Sequence, residues 1–335
     1  MTDTNRASLL LAPQTAWGTV ATSSIESKAI RMTGESLTYN ISNTQSDEIR
    51  ADRNVADLIR TDASVGGDIN FEMSYGGTYT VSSVTYNHAM DDLLEGVMCS
   101  SFSSNVLKNG TATKAYTLEK QFGGATSGGF HLMQDVMFDG MTLNLSAGSI
   151  VTGSVSALGS TLSVSDSTLL KTPNANSVSS TDVMNAIDDV TLIQAQDSAT
   201  ATDQTLNNLA KCMNLSITVA NNLRVNNEIG TLGAARIGLG QFVVTGTMSL
   251  YFENKNLYQR YIGGNSSGLK FKIEDNANTV GNSYTFEIPL IEFTSASVLA
   301  GSSNADVMVE LGFQGKYYAS DGATMKITRA DASAS

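Results

Sequence analysis

The sequence predicts a mainly β protein made of two tandem antiparallel sheet domains, each with one flanking helix. Three observations carry this. Segments along the whole 335-residue chain alternate apolar and polar side chains at period two, the pattern of a half-buried strand. Five blocks, four of them with this alternation and one helical, recur in the same order in the second half, as a repeated domain would produce. In each half one segment abandons alternation for helical spacing.

Residues 1–30 read as an N-terminal arm. The apolar run Leu9 to Ala12 behind Arg6 is too short for a signal-peptide core or a membrane span, and Trp17 reads as an anchor for the arm. The first domain is expected over 31–159. "LTYNIS" turns Leu37, Tyr39 and Ile41 inward. A stretch at 43–64 reads as a loop far longer than a hairpin needs, with mixed charges Asp47, Glu48, Arg50, Asp52, Arg53, Asp57 and Arg60. In 67–75, Ile69, Phe71, Met73 and Tyr75 oppose Asp68, Asn70, Glu72 and Ser74. Met90, Leu93, Leu94, Val97 and Met98 then form a helical stripe, with Asn87 as candidate cap and Asp91 and Asp92 at the positive helix end. "MTLNLS" buries Met141, Leu143 and Leu145. Residues 160–182, rich in Ser, Thr and Asn, read as a linker.

The second domain, expected over 183–318, repeats these blocks. "LSITVA" buries Leu215, Ile217 and Val219, aligned with Leu37 at Leu215; Val244, Met248, Leu250 and Phe252 oppose Thr245, Thr247, Ser249 and Tyr251. Leu257, Tyr261 and Ile262 make the second helical stripe, stopped by Gly263-Gly264. Tyr116-Thr117-Leu118-Glu119 and Tyr284-Thr285-Phe286-Glu287 look like one word used twice. Residues 185–208 read as a first strand and a polar loop, and 319–335 as a C-terminal tail.

No enzyme is legible. The only histidines, His88 and His131, have no nucleophile or ligand partner at a useful spacing, and Cys99 and Cys212 form no CxxC. No glycine pattern matches a phosphate-binding loop, and no cofactor or metal is expected. The formal charge of −12 argues against a surface built to grip DNA or an anionic membrane. The polar strand faces are built from Thr, Ser and Asn, where a solvent face would carry more Lys and Glu.

The ordered set "RMTGESLTYN", "TQSDEIRADRNVADLI", "GGDINFEMSY" and "HAMDDLLEGVM", followed by "VVTGTMSLYFENKNLY" and "YTFEIPLIEFTSA", resembles the major tail tube proteins of long, flexible-tailed bacteriophages. The resemblance covers about residues 30–159 and 211–318. It implies β-sandwich domains with a flanking helix, whose inner sheets join between subunits into a barrel ring. Stacked rings would hold the tape-measure protein and then pass DNA without binding it specifically. A two-domain chain implies rings of three with pseudo-sixfold symmetry, capped by tail terminator and distal tail proteins. Such a protein would be assembled in the host cytoplasm and reside in the virion tail. The rival reading is a two-domain β-sandwich adhesin or carbohydrate-binding protein, which predicts aromatic platforms. On the tube reading, loop 43–64 makes ring-to-ring contacts. The face bearing Thr38, Asn40, Asp68, Asn70, Glu72, Ser216, Thr218, Thr245 and Thr247 then lines the bore, or else faces bulk solvent on an outer sheet.

Overall fold

The computed structural model describes residues 6–21, 24–174, 179–195, 207–208, 211–253, 255–275, 281–301, 303 and 305–332. The chain is almost entirely antiparallel β. Strands β1 (Ala7–Pro13), β2 (Lys28–Ala29), β3 (Gly34–Glu35), β4 (Thr38–Gln45) and β5 (Leu58–Glu72) precede a hairpin of β6 (Thr78–Val81) and β7 (Val84–Asn87). Helix α1 (Ala89–Val97) follows, then β8 (Val106–Lys108), β9 (Tyr116–Phe122), β10 (Phe130–Ser146), β11 (Thr152–Gly159) and β12 (Thr161–Ser165). The second half runs β13 (Val190–Ala195), β14 (Asn207–Asn208) and β15 (Cys212–Ala220), then a hairpin of β16 (Arg224–Asn226) and β17 (Arg236–Gly238). It ends with β18 (Val243–Tyr251), α2 (Asn256–Gly263), β19 (Ser267–Glu274), β20 (Ser283–Ala300), β21 (Val307–Gly315) and β22 (Lys326–Ala330).

Two long strands organise the molecule. The N-terminal part of β10 pairs with β9 and β12, and β9 pairs with β1. Its C-terminal part pairs with β11 and β15. Between them Asp135 adopts φ 53°, and its carboxylate accepts hydrogen bonds from Ser160 Oγ and the Gly18 amide, which fixes the bend. In the second half β20 pairs first with β19 and β22, then with β21. The arrangement is sandwich-like and open; among the described residues no ring of strands closes within one chain.

One layer is continuous through both halves. Neighbour by neighbour it runs β4–β5–β11–β10–β15–β18–β21–β20. One face of this eight-strand sheet is apolar, and the alternation read from the sequence is its cause. Ile69, Val155, Met141, Val219 and Val244 form one buried row, and Leu143, Ile217 and Phe313 lie in the next. Burying each large side chain contributes about 1.5–3 kcal/mol. A single apolar cluster extends from Leu9 to Ile327, and α1 contributes Met90, Leu93, Leu94, Val97 and Met98 to it, as its spacing predicts.

Several expectations need correction. The N-terminal arm contains β1, whose Leu9 to Ala12 are buried in sheet pairing with β9. The expected linker 160–182 begins with β12 and is then pinned down: the buried Glu119 accepts from the amides of Leu169 and Leu170. The expected tail 319–335 contains β22, which pairs with β20 and with β8 from the first half. β12 and β22 carry too few large apolar residues to announce themselves. Beyond β13, much of the expected polar loop lies outside the described residues. Phe252 and Ile41 are exposed, because both strands leave the core there. The two similar words are not equivalent in position: Tyr116 to Glu119 lies on β9, while Tyr284 to Glu287 opens β20, the strand placed like β10.

The segment 43–64 is not a loop. β4 and β5 pair from Thr38 opposite Gly66 out to Gln45 opposite Leu58, so only 46–57 lies between the strands. The result is a projecting two-stranded arm. Gly67, at φ +143°, permits the kink at its base; a Cβ there would lie 2.4 Å from the Ser36 carbonyl oxygen.

Candidate functional site

The polar face of the eight-strand sheet is the feature the sequence singles out. Register places its residues in rows across the strands. Glu72, Thr152, Asn144, Ser216, Thr247 and Gly312 stand side by side, as do Asn70, Ser154, Thr142, Thr218, Thr245 and Gln314. Asp68 heads a third row through Ser156 to Gly140. Thr38 and Asn40 lie on β4 at the sheet margin, where Asn40 Nδ2 donates to Thr38 Oγ1 at 3.3 Å. All nine expected face residues therefore belong to one surface, and they are exposed except Glu72 and Ser216, which are half-buried.

The halves meet on this face. Thr142 Oγ1 and Thr218 Oγ1 are 3.4 Å apart, and Ser216 Oγ donates to Asn144 Oδ1 at 2.7 Å. The charged groups from β5 to β21 along these rows are the carboxylates Asp68 and Glu72, with no Lys or Arg at the row positions, and Glu310 stands in the adjoining row opposite Ser249. Lys316, just past β21, is held by Glu292 at 2.8 Å. The face is thus a smooth hydroxyl and amide surface with a negative bias.

The arm carries the other expected residues, and its ends differ in chemistry. At the tip Arg50 bonds Asp52 through two nitrogens at 3.0 and 2.9 Å, which holds the Asp52 carboxyl well below the usual carboxylate range. Asp47, Glu48, Arg53 and Asp57 surround it, all exposed, and Arg60 lies on β5 opposite Asn43. Apolar Ile49, Leu58 and Ile59 are exposed beside them, at 99, 62 and 53%. In the second half the connection between β15 and β18 is the folded-back hairpin β16–β17, where Ile237 and Ala234 are buried against Met137 of the first half. Trp17 joins this cluster, its Nε1 donating to the Ala235 carbonyl at 2.8 Å, so it anchors the arm region to the second half.

A buried ionic group beside α1 has no local signature in the sequence. Asn87 does not cap the helix; His88 occupies the N-cap position and Asn87 Nδ2 donates to Glu95. Asp91 and Asp92 are buried and ion-paired. Lys28 pairs with Asp92 and Lys114 with Glu95. Arg329 of β22 pairs with Asp91, which also accepts from Tyr284 Oη. Tyr75 Oη donates to Asp331 at 2.6 Å. Burial outweighs these partners and pushes the Asp91 carboxyl up to about 6. The contacts of Asp91 with Tyr284 and Arg329 and of Tyr75 with Asp331 join residues more than 190 positions apart, a distance no local pattern can reveal. His131, on β10, packs edge-on against Phe122 with ring centroids 5.1 Å apart. Among the described residues no cluster of His, Cys, Asp and Glu could hold a metal, and no helix is long and apolar enough to cross a membrane.

One long, even polar sheet face and a projecting arm suit a self-assembling structural protein. The family model for phage tail tube proteins matches residues 4–315. The chain belongs to that family, and it is a structural component of the virion tail that assembles with itself into a tube. A comparison with curated proteins gave no match.

Proposed function

We propose that the chain is a tandem duplication, divided near the expected boundaries 31–159 and 183–318, and that three copies close into each ring of the tube. The observation that carries this is the eight-strand sheet passing without a break from one half to the other through β10 and β15. Apart from the hairpins β6–β7 and β16–β17 and the short β8, the halves share an element order: two paired strands, a helix, then two paired strands of which the second runs on into the polar-faced layer. Eight strands from each of three copies make a barrel of twenty-four. Barrel diameter grows with strand number, and barrels of about 16–18 strands already leave an aqueous channel. Closing the ring also removes the exposed sheet edges, which otherwise invite uncontrolled pairing.

The polar face then lines the bore. It would first surround the tape-measure protein and later conduct DNA, and terminator and distal tail proteins would cap the ends. A negatively biased hydroxyl surface makes few contacts with phosphate, which favours sliding. The repulsion is short-ranged, screened over about 8 Å at physiological salt. Replacing Asp68 and Glu72 with Lys is expected to leave tubes intact and slow DNA ejection, measured by dye release from phage carrying the variant. Ejection at the wild-type rate would count against the bore assignment. An adhesin or carbohydrate-binding role finds no support in the family match. Negative-stain microscopy of concentrated protein separates the two: rings or tubes are expected, whereas persistent monomers that bind glycans would overturn the tube reading.

The arm is assigned to ring-to-ring contact, because it leaves its own core and exposes Ile49, Leu58 and Ile59 beside paired charges. The double variant Arg50→Glu with Arg53→Glu is expected to give folded chains, with unchanged circular dichroism, that sediment as short stacks or single rings. Full-length tubes from this variant would exclude the arm tip from stacking.

A further inference from the structure

The eight-strand sheet ends at two edges, β4 and the C-terminal part of β20. Each has a counterpart at the internal seam. Asp139 of β10 and Thr294 of β20 are the extra residues where each strand slips against its neighbour, β11 or β21. Counting from them, Gly140, Met141, Thr142 and Leu143 correspond to Ser295, Ala296, Ser297 and Val298. On the other side Gly67 pairs with Ala157 of β11 and Gly246 with Phe313 of β21. The next step along β5 and β18 is Gly66, which pairs with Thr38, and Thr245, which pairs with Thr218. Thr38 therefore corresponds to Thr218, which shifts the alignment read from Leu37 and Leu215 by two residues and keeps every side chain on its face.

Resting on the tube reading above, we infer that copies join by laying β20 of one against β4 of the next, in the register Ser297 opposite Thr38. The contact repeats the internal seam, where Thr142 stands opposite Thr218. Burial supports it. At the internal seam Met141, Leu143, Ile217 and Val219 are at most 4% exposed. Of their counterparts, Ala296, Val298 and Tyr39 are only partly covered, as positions lacking a neighbour strand would be, whereas Leu37 is already buried in the single chain. The β4 edge is also guarded in the free chain. The Leu37 amide donates to Glu35 Oε2 at 2.8 Å, and its carbonyl accepts from Lys120 Nζ at 3.0 Å, while Lys120 pairs with Glu35 at 2.7 Å. Leu37 corresponds to Ile217, which faces Leu143, so these two main-chain groups are the ones an incoming Val298 would engage. Side chains that satisfy an edge strand are a guard against premature pairing.

The test is a cysteine pair, Thr38→Cys with Ser297→Cys, in a Cys212→Ser background under mild oxidation. Non-reducing gels are expected to show a covalent ladder ending at three chains. Thr142→Cys with Thr218→Cys calibrates the same geometry inside one chain and should lose its two introduced thiols, leaving Cys99, without changing mass class. Chains carrying only Thr38→Cys mixed with chains carrying only Ser297→Cys should give dimers and nothing larger. If tubes form but the link appears instead with Ser36→Cys or Asn40→Cys, or with no β4 position, this register is overturned while the tube reading stands. A ladder running past three chains overturns closure by three. If the wild-type chain itself gives no rings or tubes, it is the tube reading that fails.

Discussion

Asp91→Ala is expected to lower the stability of the chain by about 3–5 kcal/mol, the cost of stripping one partner from a buried ion pair. Arg329 would be left with its charge largely buried, and Tyr284 Oη would lose its acceptor. The damage falls between the halves, because α1 and β22 belong to opposite ends of the sequence. Thermal unfolding followed by circular dichroism measures it; a loss below 1 kcal/mol would show that the pair is not structural. The pH dependence has a definite sign. Asp91 sits above its ordinary value, at about 6, because burial disfavours its charge. The contribution of that protonation is fully present below the ordinary aspartate value near 4 and is lost as pH rises through about 6. Asp91→Asn should remove this part of the pH dependence while keeping much of the packing.

The second large effect is expected at Gly140, where β10 meets β15. A Cβ there would lie 2.4 Å from the Val219 carbonyl oxygen, and a backbone atom in a ladder cannot swing aside as a side-chain tip can. Gly140→Val should therefore cost about 3 kcal/mol or more, at the upper end of overpacking penalties. It should also abolish tubes, because the sheet would part at the junction that makes it continuous. Chemical denaturation and electron microscopy of the same preparation check both halves of the prediction. Wild-type stability with normal tubes would mean that the two strands can separate there at little cost.

The strands with large apolar residues on alternate positions were legible from sequence, and so was the polar face. Ile69, Phe71 and Met73 announce β5 because only a half-buried strand requires that alternation. The nine face residues fell on one surface for the same reason. What stayed hidden depends on partners far away in sequence. β12 and β22 are short and built largely of small or polar residues, so they resemble linker and tail until β10 and β20 are placed beside them. The arm read as a loop because its strands extend past the core, where no burial imposes a pattern. Asp91 and Asp92 read as helix-end charges, since nothing local distinguishes a solvated carboxylate from one facing Arg329 or Lys28. The seam between Thr142 and Thr218 is likewise a property of pairing, invisible in either strand alone.

The clasp of Glu35 and Lys120 over Leu37 bears on how fast tubes start. On the inferred β4–β20 contact, two free chains that meet must release one clasp before the sheet contact compensates. A chain arriving at an existing ring meets a rigid, already ordered template. Starting a tube should therefore be slow and lengthening it quick, so that purified protein lingers before a sudden rise in light scattering. A trace of sheared tube fragments should erase that delay.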